Sequence, residues 1–159
     1  MENKRVKDLQ ISFEEGFRQL SEEEMKQARF INEGDEGIVM RDDEKHMVVS
    51  AAYKKVSGIA LAFLKEEEIV ENTQKQFEKM MQPFDYHLDE YVTKQGQMTL
   101  HGFEYTYLAQ GTNMRGASFV IKNKKGLYYL HFYMREALKE ESHQIMDHIL
   151  DSVDLVQEG

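Results

Sequence analysis

The sequence predicts an α+β fold in which an antiparallel β-sheet of about six strands is sandwiched between helices on both faces, in three α/β/α layers. Four segments rich in β-branched and aromatic residues follow one another in the second half of the chain, separated only by short turns. One amphipathic helical pattern precedes these strands and another follows them. The last of the strands carries bulky side chains on both faces, so each face requires a covering layer.

The chain begins with a strand and a short helix. Leu9, Ile11 and Phe13 alternate with polar residues, which is typical of a half-buried strand. Ser21 and Glu24 have the spacing of a capping box, in which each side chain bonds to the other residue's backbone N–H. We therefore expect a helix over Glu22–Ala28.

A hairpin is predicted next. Two apolar segments, Gly37–Met40 and His46–Val49, flank the acidic tip Arg41–Lys45. The second strand can extend to Tyr53. The segment Ser57–Leu64 is ambiguous, because its apolar residues alternate as in a strand but lead directly into a helical pattern.

The remaining elements are predicted from longer patterns. Apolar residues from Ile69 to Met81 recur at helical spacing, and Pro83 ends that helix. A second amphipathic helix extends from Leu138 to Val153. The strands between these helices, joined by short turns as in an antiparallel meander, are Tyr86–Val92, Met98–Ala109, Ala117–Ile121 and Leu127–Met134. The turns predicted between them are Lys94–Gly96, Gly111–Asn113 and Asn123–Gly126.

Composition limits the classes of function. The 159 residues are expected to form a single domain, because no proline-rich or glycine-serine linker interrupts them. The net charge of −9 and the scattered lysines disfavour nucleic acid and anionic membranes as partners. The absence of cysteine excludes disulfides and thiolate chemistry, and fits a cytoplasmic protein. The longest apolar run is much shorter than a membrane span, and we expect no secretory signal at the N-terminus.

Three stretches resemble the PsbP-like superfamily. They are Ile11–Phe17 with Leu20–Glu23, His101–Tyr107 and Met146–Val153. The family often has a proline where this chain has Glu15. The resemblance implies a helix–sheet–helix fold and a mostly non-catalytic repertoire. Members include a photosystem II extrinsic subunit, a yeast nuclear-import factor that binds the Ran GTPase, and bacterial toxin chaperones that shield transmembrane segments. No site residue is transferred from them.

Motifs for catalysis or metal binding are missing. His143 and His148 are five residues apart on the last helix, so they lie roughly 140° apart around its axis. We expect them to form solvated pairs with Asp147 and Asp151. The glycines are isolated, without a phosphate-binding pattern, and no serine lies in a nucleophile-elbow motif. The sequence therefore predicts neither a metal nor a cofactor.

Tyrosines and one histidine form the candidate site. His131 lies on one face of the strand Leu127–Met134, between Tyr129 and Tyr133. It can serve as an acid, a base or a ligand, or it can be a core histidine bonded to a nearby hydroxyl. Tyr105 and Tyr107 join the same patch if their strand is adjacent. The residues predicted to bind a ligand or partner are Tyr105, Tyr107, Tyr129, His131 and Tyr133, and the alternative is that they form a second core layer.

The leading hypothesis is a non-enzymatic module that binds another protein, with a chaperone-like surface for a partner that presents an apolar segment. Tyrosine, phenylalanine and methionine are abundant, and these side chains are favoured at adaptable binding surfaces. The alternative is a small-molecule binder or hydrolase with a polar pocket around His131. A weaker third option is a homo-oligomer built through an edge strand. The sequence thus allows a monomer or a homodimer.

Overall fold

A seven-stranded antiparallel sheet forms the centre of the computed structural model, which describes residues 1–28, 36–123 and 125–156. Its strand order is β3-β4-β5-β9-β8-β7-β6. The strands are β3 (Arg18–Gln19), β4 (Glu36–Asp42), β5 (Met47–Lys55), β6 (His87–Gln95), β7 (Thr99–Ala109), β8 (Thr112–Lys122) and β9 (Gly126–Arg135). Strands β6 to β9 are consecutive neighbours, so the predicted meander is confirmed.

A second, three-stranded sheet joins the two ends of the chain. It has the order β1-β2-β10, with β1 over Glu2–Val6, β2 over Leu9–Phe13 and β10 over Asp154–Leu155. The sequence predicted only β2. Strand β1 is mostly exposed and polar, and β10 has two residues, so neither shows the apolar alternation by which a half-buried strand is recognised.

Four α-helices accompany the sheets. They are α1 (Glu22–Ala28), α2 (Gly58–Phe63), α3 (Glu66–Met80) and α4 (Lys139–Ser152). The capping box of α1 is confirmed: the Ser21 N–H donates to Glu24 Oε1 at 3.1 Å, and the Glu24 N–H donates to Ser21 Oγ at 3.2 Å. The ambiguous segment Ser57–Leu64 contains helix α2. Within the described residues, no helix is both long and apolar enough to cross a membrane.

Two hydrophobic clusters contain alternate residues of the same strand. Leu130 and Phe132 of β9 belong to the larger cluster, which includes Met146 and Ile149 of α4 and the apolar side of β2. Tyr129 of β9 packs against the smaller cluster, which includes Val70 of α3. Helix α3 contacts β6, β7 and β8, and α4 contacts β9 and β2.

The α+β class and the antiparallel sheet are therefore confirmed, with seven strands in the main sheet instead of about six. The additional strand is β3, whose two residues precede the capping box. The predicted strand boundaries differ from the observed ones by a few residues, most of all in β8, which begins at Thr112 instead of Ala117. Lys124, within the predicted turn Asn123–Gly126, lies outside the described residues.

Candidate binding surface

Tyr105 is the centre of an aromatic cluster beneath α3. Its ring centroid lies 5.3 Å from that of Phe77 on α3 and 5.8 Å from that of Phe103 on the same strand. It also lies 5.4 Å from Tyr86 and 5.7 Å from Tyr107. These separations are those of favourable tilted aromatic pairs. Tyr105 is only 1% exposed, so its ring lies in the interior of the protein.

His131 lies under the same helix. The Phe77 ring is 5.0 Å from the imidazole, and the Tyr133 ring stacks on it at 5.6 Å with an interplanar angle of 17°. Its cross-strand neighbours are Ser50 of β5 and Ser118 of β8, both of which are buried. Phe77 therefore links His131 to Tyr105, and the structure brings the two parts of the predicted patch together.

Several polar atoms in this layer are buried without a protein hydrogen-bond partner among the described residues. They include Gln74 Nε2, Tyr86 Oη, Ser118 Oγ and His131 Nε2. Burial lowers the pKa of His131 to about 4, so its imidazole is neutral at neutral pH. The layer therefore contains uncharged hydrogen-bonding groups surrounded by aromatic rings.

The tyrosines of the cluster are also uncharged at neutral pH. Burial raises the pKa of Tyr105 well above its ordinary value, and it raises the pKa of Tyr107 and Tyr133 as well. Tyr107, Tyr129 and Tyr133 are half-buried. Their hydroxyls can donate or accept hydrogen bonds, but they are not poised to act as bases.

Beyond the buried cluster, large apolar side chains are exposed where α3 ends and β6 begins. Leu88 and Tyr91 of β6 are the register partners of Tyr105 and Phe103, so they lie on the same face of the sheet. Met80 ends α3, and Phe84 ends the 3-10 turn that leads into β6. We call these four residues, Met80, Phe84, Leu88 and Tyr91, the edge patch; they are 60%, 46%, 47% and 56% exposed.

Strand β6 is the last strand of the sheet, and a bulge at Asp89 interrupts its register with β7. Asp89 lies at this bulge, and its carboxylate accepts a hydrogen bond from Arg115 at 2.7 Å. Leu88 and Tyr91 are three residues apart, a spacing that places side chains on opposite faces of a regular strand. The extra residue at the bulge leaves both of them on the aromatic face. The sequence predicts the strand but not its position at the edge of the sheet, and so it does not reveal this patch.

Helix α2 exposes two more large apolar residues. Leu61 is buried, but Ile59 and Phe63 are 78% and 82% exposed. In an α-helix, residues two apart lie about 200° apart around the axis, so these three side chains cannot share one face. The alternating apolar residues Ile59, Leu61 and Phe63 therefore lie in a helix, where only Leu61 is buried and the other two are exposed.

The histidines of α4 do not form the predicted pairs. His143 Nε2 lies 2.6 Å from Glu104 Oε1, and His148 Nδ1 lies 2.7 Å from Glu14 Oε1. Asp147 instead pairs with Lys94 of β6 at 2.9 Å. Within the described ranges, no group of three or more His, Asp or Glu side chains is arranged to hold a metal ion.

Neither of two surface clefts in the described part of the chain is lined by His131. The smaller, of about 470 Å³, lies between the α2–α3 junction and the sheet and includes His101 and Lys122. The larger, of about 1030 Å³, lies at the other end of β9 from Tyr133 and includes Tyr53 and Tyr128.

The fold is similar to three solved structures. The cyanobacterial PsbP protein (CyanoP) of Synechocystis sp. PCC 6803 matches with a TM-score of 0.65 and 12% identity over 93% of this chain and 86% of that one. LpqN of Mycobacterium tuberculosis, described as involved in cell envelope biogenesis, matches with a TM-score of 0.54 and 12% identity over 94% and 83%. A protein of Bacteroides thetaiotaomicron VPI-5482 matches with a TM-score of 0.59 and 8% identity over 96% of this chain and 46% of that one.

No family model and no curated protein matches the sequence. At these identities the structural matches establish the fold and no activity. The resemblance to the PsbP-like superfamily is confirmed at that level.

Proposed function

We propose that this domain, which has the PsbP-like fold, is a non-enzymatic protein-binding module with a chaperone-like role. Its partner would present an apolar segment to the edge patch. The observation that carries this proposal is the exposure of Met80, Phe84, Leu88 and Tyr91, which lie between 46% and 60% exposed around one sheet edge. Grouped apolar side chains on a soluble domain often mark an interaction site.

The edge position of β6 suggests how such a segment would bind. The strand has nine residues, and β7 pairs with only one of its sides. An extended segment can add to the free side through backbone hydrogen bonds while its apolar side chains pack on Leu88 and Tyr91. The bulge at Asp89 and the charges of β6 would disfavour indiscriminate pairing between copies.

The predicted site residues support the patch from beneath. Tyr105 is the register partner of Leu88 and contacts four other aromatic rings, so it holds the backbone and side chains of this edge in place. Tyr107, His131 and Tyr133 extend the same layer toward the centre of the sheet. A rigid, preformed apolar surface loses little conformational entropy when a partner binds.

We also propose that α3 and α4 cover opposite faces of the sheet, as the three-layer prediction requires. The two hydrophobic clusters support this arrangement, because one includes Val70 of α3 and the other Met146 of α4. With both faces of the sheet covered in this way, the edge strand β6 is the part of the sheet that a partner can reach. A cytoplasmic location remains a prediction from the absence of cysteine.

The alternative, a small-molecule site or hydrolase around His131, receives less support. His131 Nε2 is buried, Phe77 lies over the imidazole, and neither described cleft reaches it. Its lowered pKa leaves the imidazole neutral, but its buried Nε2 faces the aromatic layer beneath α3.

The proposal can be tested by placing a photo-crosslinking amino acid at position 88 and producing the protein in cells of its source organism. A control protein carries the same amino acid at position 108, because Leu108 is 40% exposed but, three residues beyond Tyr105 in β7, lies on the opposite face of the sheet from Leu88. We expect a specific protein to be captured at position 88 and not at position 108.

The affinity of the purified partner then separates the proposed surface from an accidental contact. The double variant Leu88→Ser/Tyr91→Ser should weaken the Kd by roughly tenfold or more, because two large side chains lose their buried area. Leu108→Ser should leave it within about twofold. An unchanged Kd for the double variant, or a crosslinked product that consists of two copies of this chain, would contradict the proposal.

A further inference from the structure

The larger cleft lies at the end of the sheet, where residues that are distant in the sequence meet. The β1–β2 turn contributes Lys7 and Asp8, the end of β5 contributes Tyr53 and Lys55, and the β8–β9 turn contributes Lys122, Asn123 and Lys125. Its volume of about 1030 Å³ is at the upper end of the range for small-molecule sites. It is separate from the edge patch and shares no residue with it.

Positive charge dominates the cleft although the whole protein carries a net charge of −9. Among the described residues, Lys7, Lys55, Lys122 and Lys125 line it together with a single carboxylate, that of Asp8. The lysines are scattered along the sequence, and the fold collects them. Like charges grouped on a concave surface produce a local field that attracts anions.

The Asp8 carboxylate is already occupied by donors from the cleft floor. It accepts hydrogen bonds from the Tyr128 hydroxyl and from Asn123 Nδ2, the latter at 3.1 Å to Oδ1 and 3.3 Å to Oδ2. These bonds reduce its ability to pair with the lysines. Asn123 Oδ1 in turn accepts the N–H groups of Lys125 and Gly126 at 2.9 Å and 2.7 Å, which shapes the β8–β9 turn.

The lysines differ in how far they are committed to the protein. Lys122 Nζ donates to the carbonyls of Leu61 and Leu64 at 2.8 Å and 2.7 Å. Lys7 Nζ lies 3.7 Å from Glu36 and 5.9 Å from the centroid of the Tyr53 ring. Lys55 and Lys125 are exposed and form no side-chain ion pair with the described residues. These two ammonium groups are the ones available to a ligand.

The walls of the cleft are apolar and fixed by backbone bonds. Tyr53 packs on the buried Tyr128 at 5.1 Å between ring centroids. Leu155 and Val156 are half-buried on the opposite side, and the Val156 N–H donates to the Asp8 carbonyl at 2.7 Å. On the β5 side, the Val56 N–H donates to the Lys125 carbonyl at 3.2 Å. An apolar body can therefore pack against preformed walls while an anionic group reaches the lysines.

We infer that this cleft binds a small organic anion in which a carboxylate or phosphate group is attached to a flat apolar body. Lys55 and Lys125 contact the anionic group, with Lys7 nearby, and Tyr53 packs against the apolar body. This inference goes beyond the proposed protein-binding function and does not depend on it.

Binding of 2-naphthoate, its neutral analogue 2-naphthamide and inorganic phosphate to the full chain, followed by NMR amide shifts, tests the inference. We expect 2-naphthoate to bind more tightly than either of the other probes, to shift the Asn123 and Lys125 amides, and to bind more weakly as salt is added. Each comparison removes one half of the recognised chemistry.

Charge variants provide the second measurement. Lys55→Gln/Lys125→Gln should weaken the Kd of 2-naphthoate by roughly fivefold to tenfold. The matched control Lys75→Gln/Lys79→Gln removes the same charge from the exposed side of α3 and should change it by less than about twofold. Equal binding of the neutral analogue, equal effects of the two double variants, or no saturation below about 10 mM would overturn the inference.

Discussion

His143 of α4 lies 2.6 Å from Glu104 of β7, measured between Nε2 and Oε1, although the two residues are 39 positions apart. Glu104 is only 3% exposed and lies 3.3 Å from Arg115. Arg115 also pairs with Asp89 and Glu136, each at 2.7 Å. The guanidinium is thus surrounded by three carboxylates, and α4 is joined to the sheet through one of them.

The Arg115 pairs should be essential for stability. Burial opposes the charge of the guanidinium, but the hydrogen bonds of Glu136 and Asp89 outweigh that penalty and raise its pKa. Arg115→Gln would remove the guanidinium partner of the buried Glu104 and leave His143 as its neighbour. Breaking a buried ion pair typically costs about 3 to 5 kcal/mol of unfolding free energy, and we expect a loss at the lower end of that range because His143 remains. Urea denaturation at pH 7 measures this loss.

A matched variant distinguishes buried charge from charge in general. Arg18 pairs with Glu24 at 3.3 Å on an exposed surface. Arg18→Gln should therefore cost about 1 kcal/mol or less. If the two variants lose similar amounts, the Arg115 network is not the stabilising feature described above.

The capping box of α1 yields a smaller effect. Ser21→Ala removes the acceptor of the Glu24 N–H at 3.2 Å and should lower the unfolding free energy by about 1 kcal/mol. Gln27→Ala, at an exposed position of the same helix, should change it by less than about 0.5 kcal/mol. Equal stabilities of the two variants in urea would show that the box contributes little to α1.

The sequence predicted elements whose signals are local, and it missed features that depend on which strands meet. The capping box needs only two residues three positions apart, and α3 needs only its own apolar spacing, so both were predicted. The Arg115 network joins β6, β7, β8 and α4, so it depends on which strands lie side by side in the sheet. The edge patch depends in the same way on β6 being the last strand of the sheet, which the sequence does not encode locally.

The candidate site was predicted in outline because Tyr129, His131 and Tyr133 alternate on one strand. The contact of His131 with Phe77 could not be predicted, because Phe77 is 54 positions away and its spacing indicates only that it lies on the apolar face of a helix.

Gly116 allows Tyr105 to lie across β8. A Cβ atom at position 116 would be 2.2 Å from Tyr105 Cζ and 2.4 Å from its hydroxyl oxygen. Gly116→Ala should therefore displace the central ring of the aromatic cluster and cost about 1 to 3 kcal/mol. Because the chain has no tryptophan, the near-ultraviolet circular dichroism reports tyrosine packing and should change as well.

The control is a glycine with free space around it. A Cβ atom at Gly58 would meet no atom within 4 Å, and this residue begins α2. Gly58→Ala should be neutral or stabilise by up to about 1 kcal/mol, since it reduces the freedom of the unfolded chain. If Gly116→Ala behaves in the same way, Tyr105 does not require the close approach.

The last prediction concerns the pH dependence that His131 imparts. Burial lowers its pKa from 6.5 to about 4 in the folded protein, so between these values the unfolded chain binds more protons than the folded one. The unfolding free energy therefore rises with pH between these two pKa values. The contribution of His131 to stability is fully present above the unfolded pKa. Acidification from pH 7 to pH 4 should remove about 3 kcal/mol through this group.

His131→Phe keeps a ring beside Phe77 and Tyr133 and removes the titration. Its stability should consequently fall less between pH 7 and pH 5 than that of the wild type in urea titrations at fixed ionic strength. The comparison stops at pH 5 because Glu14 and Glu136 lose their own contributions to stability below about pH 4.5. Hydrogen bonds from His148 and Arg115, respectively, lower the pKa values of these two carboxyl groups. A wild-type slope in His131→Phe would mean that the imidazole is hydrated in solution, and that the layer beneath α3 is more open than the packing of Phe77 indicates.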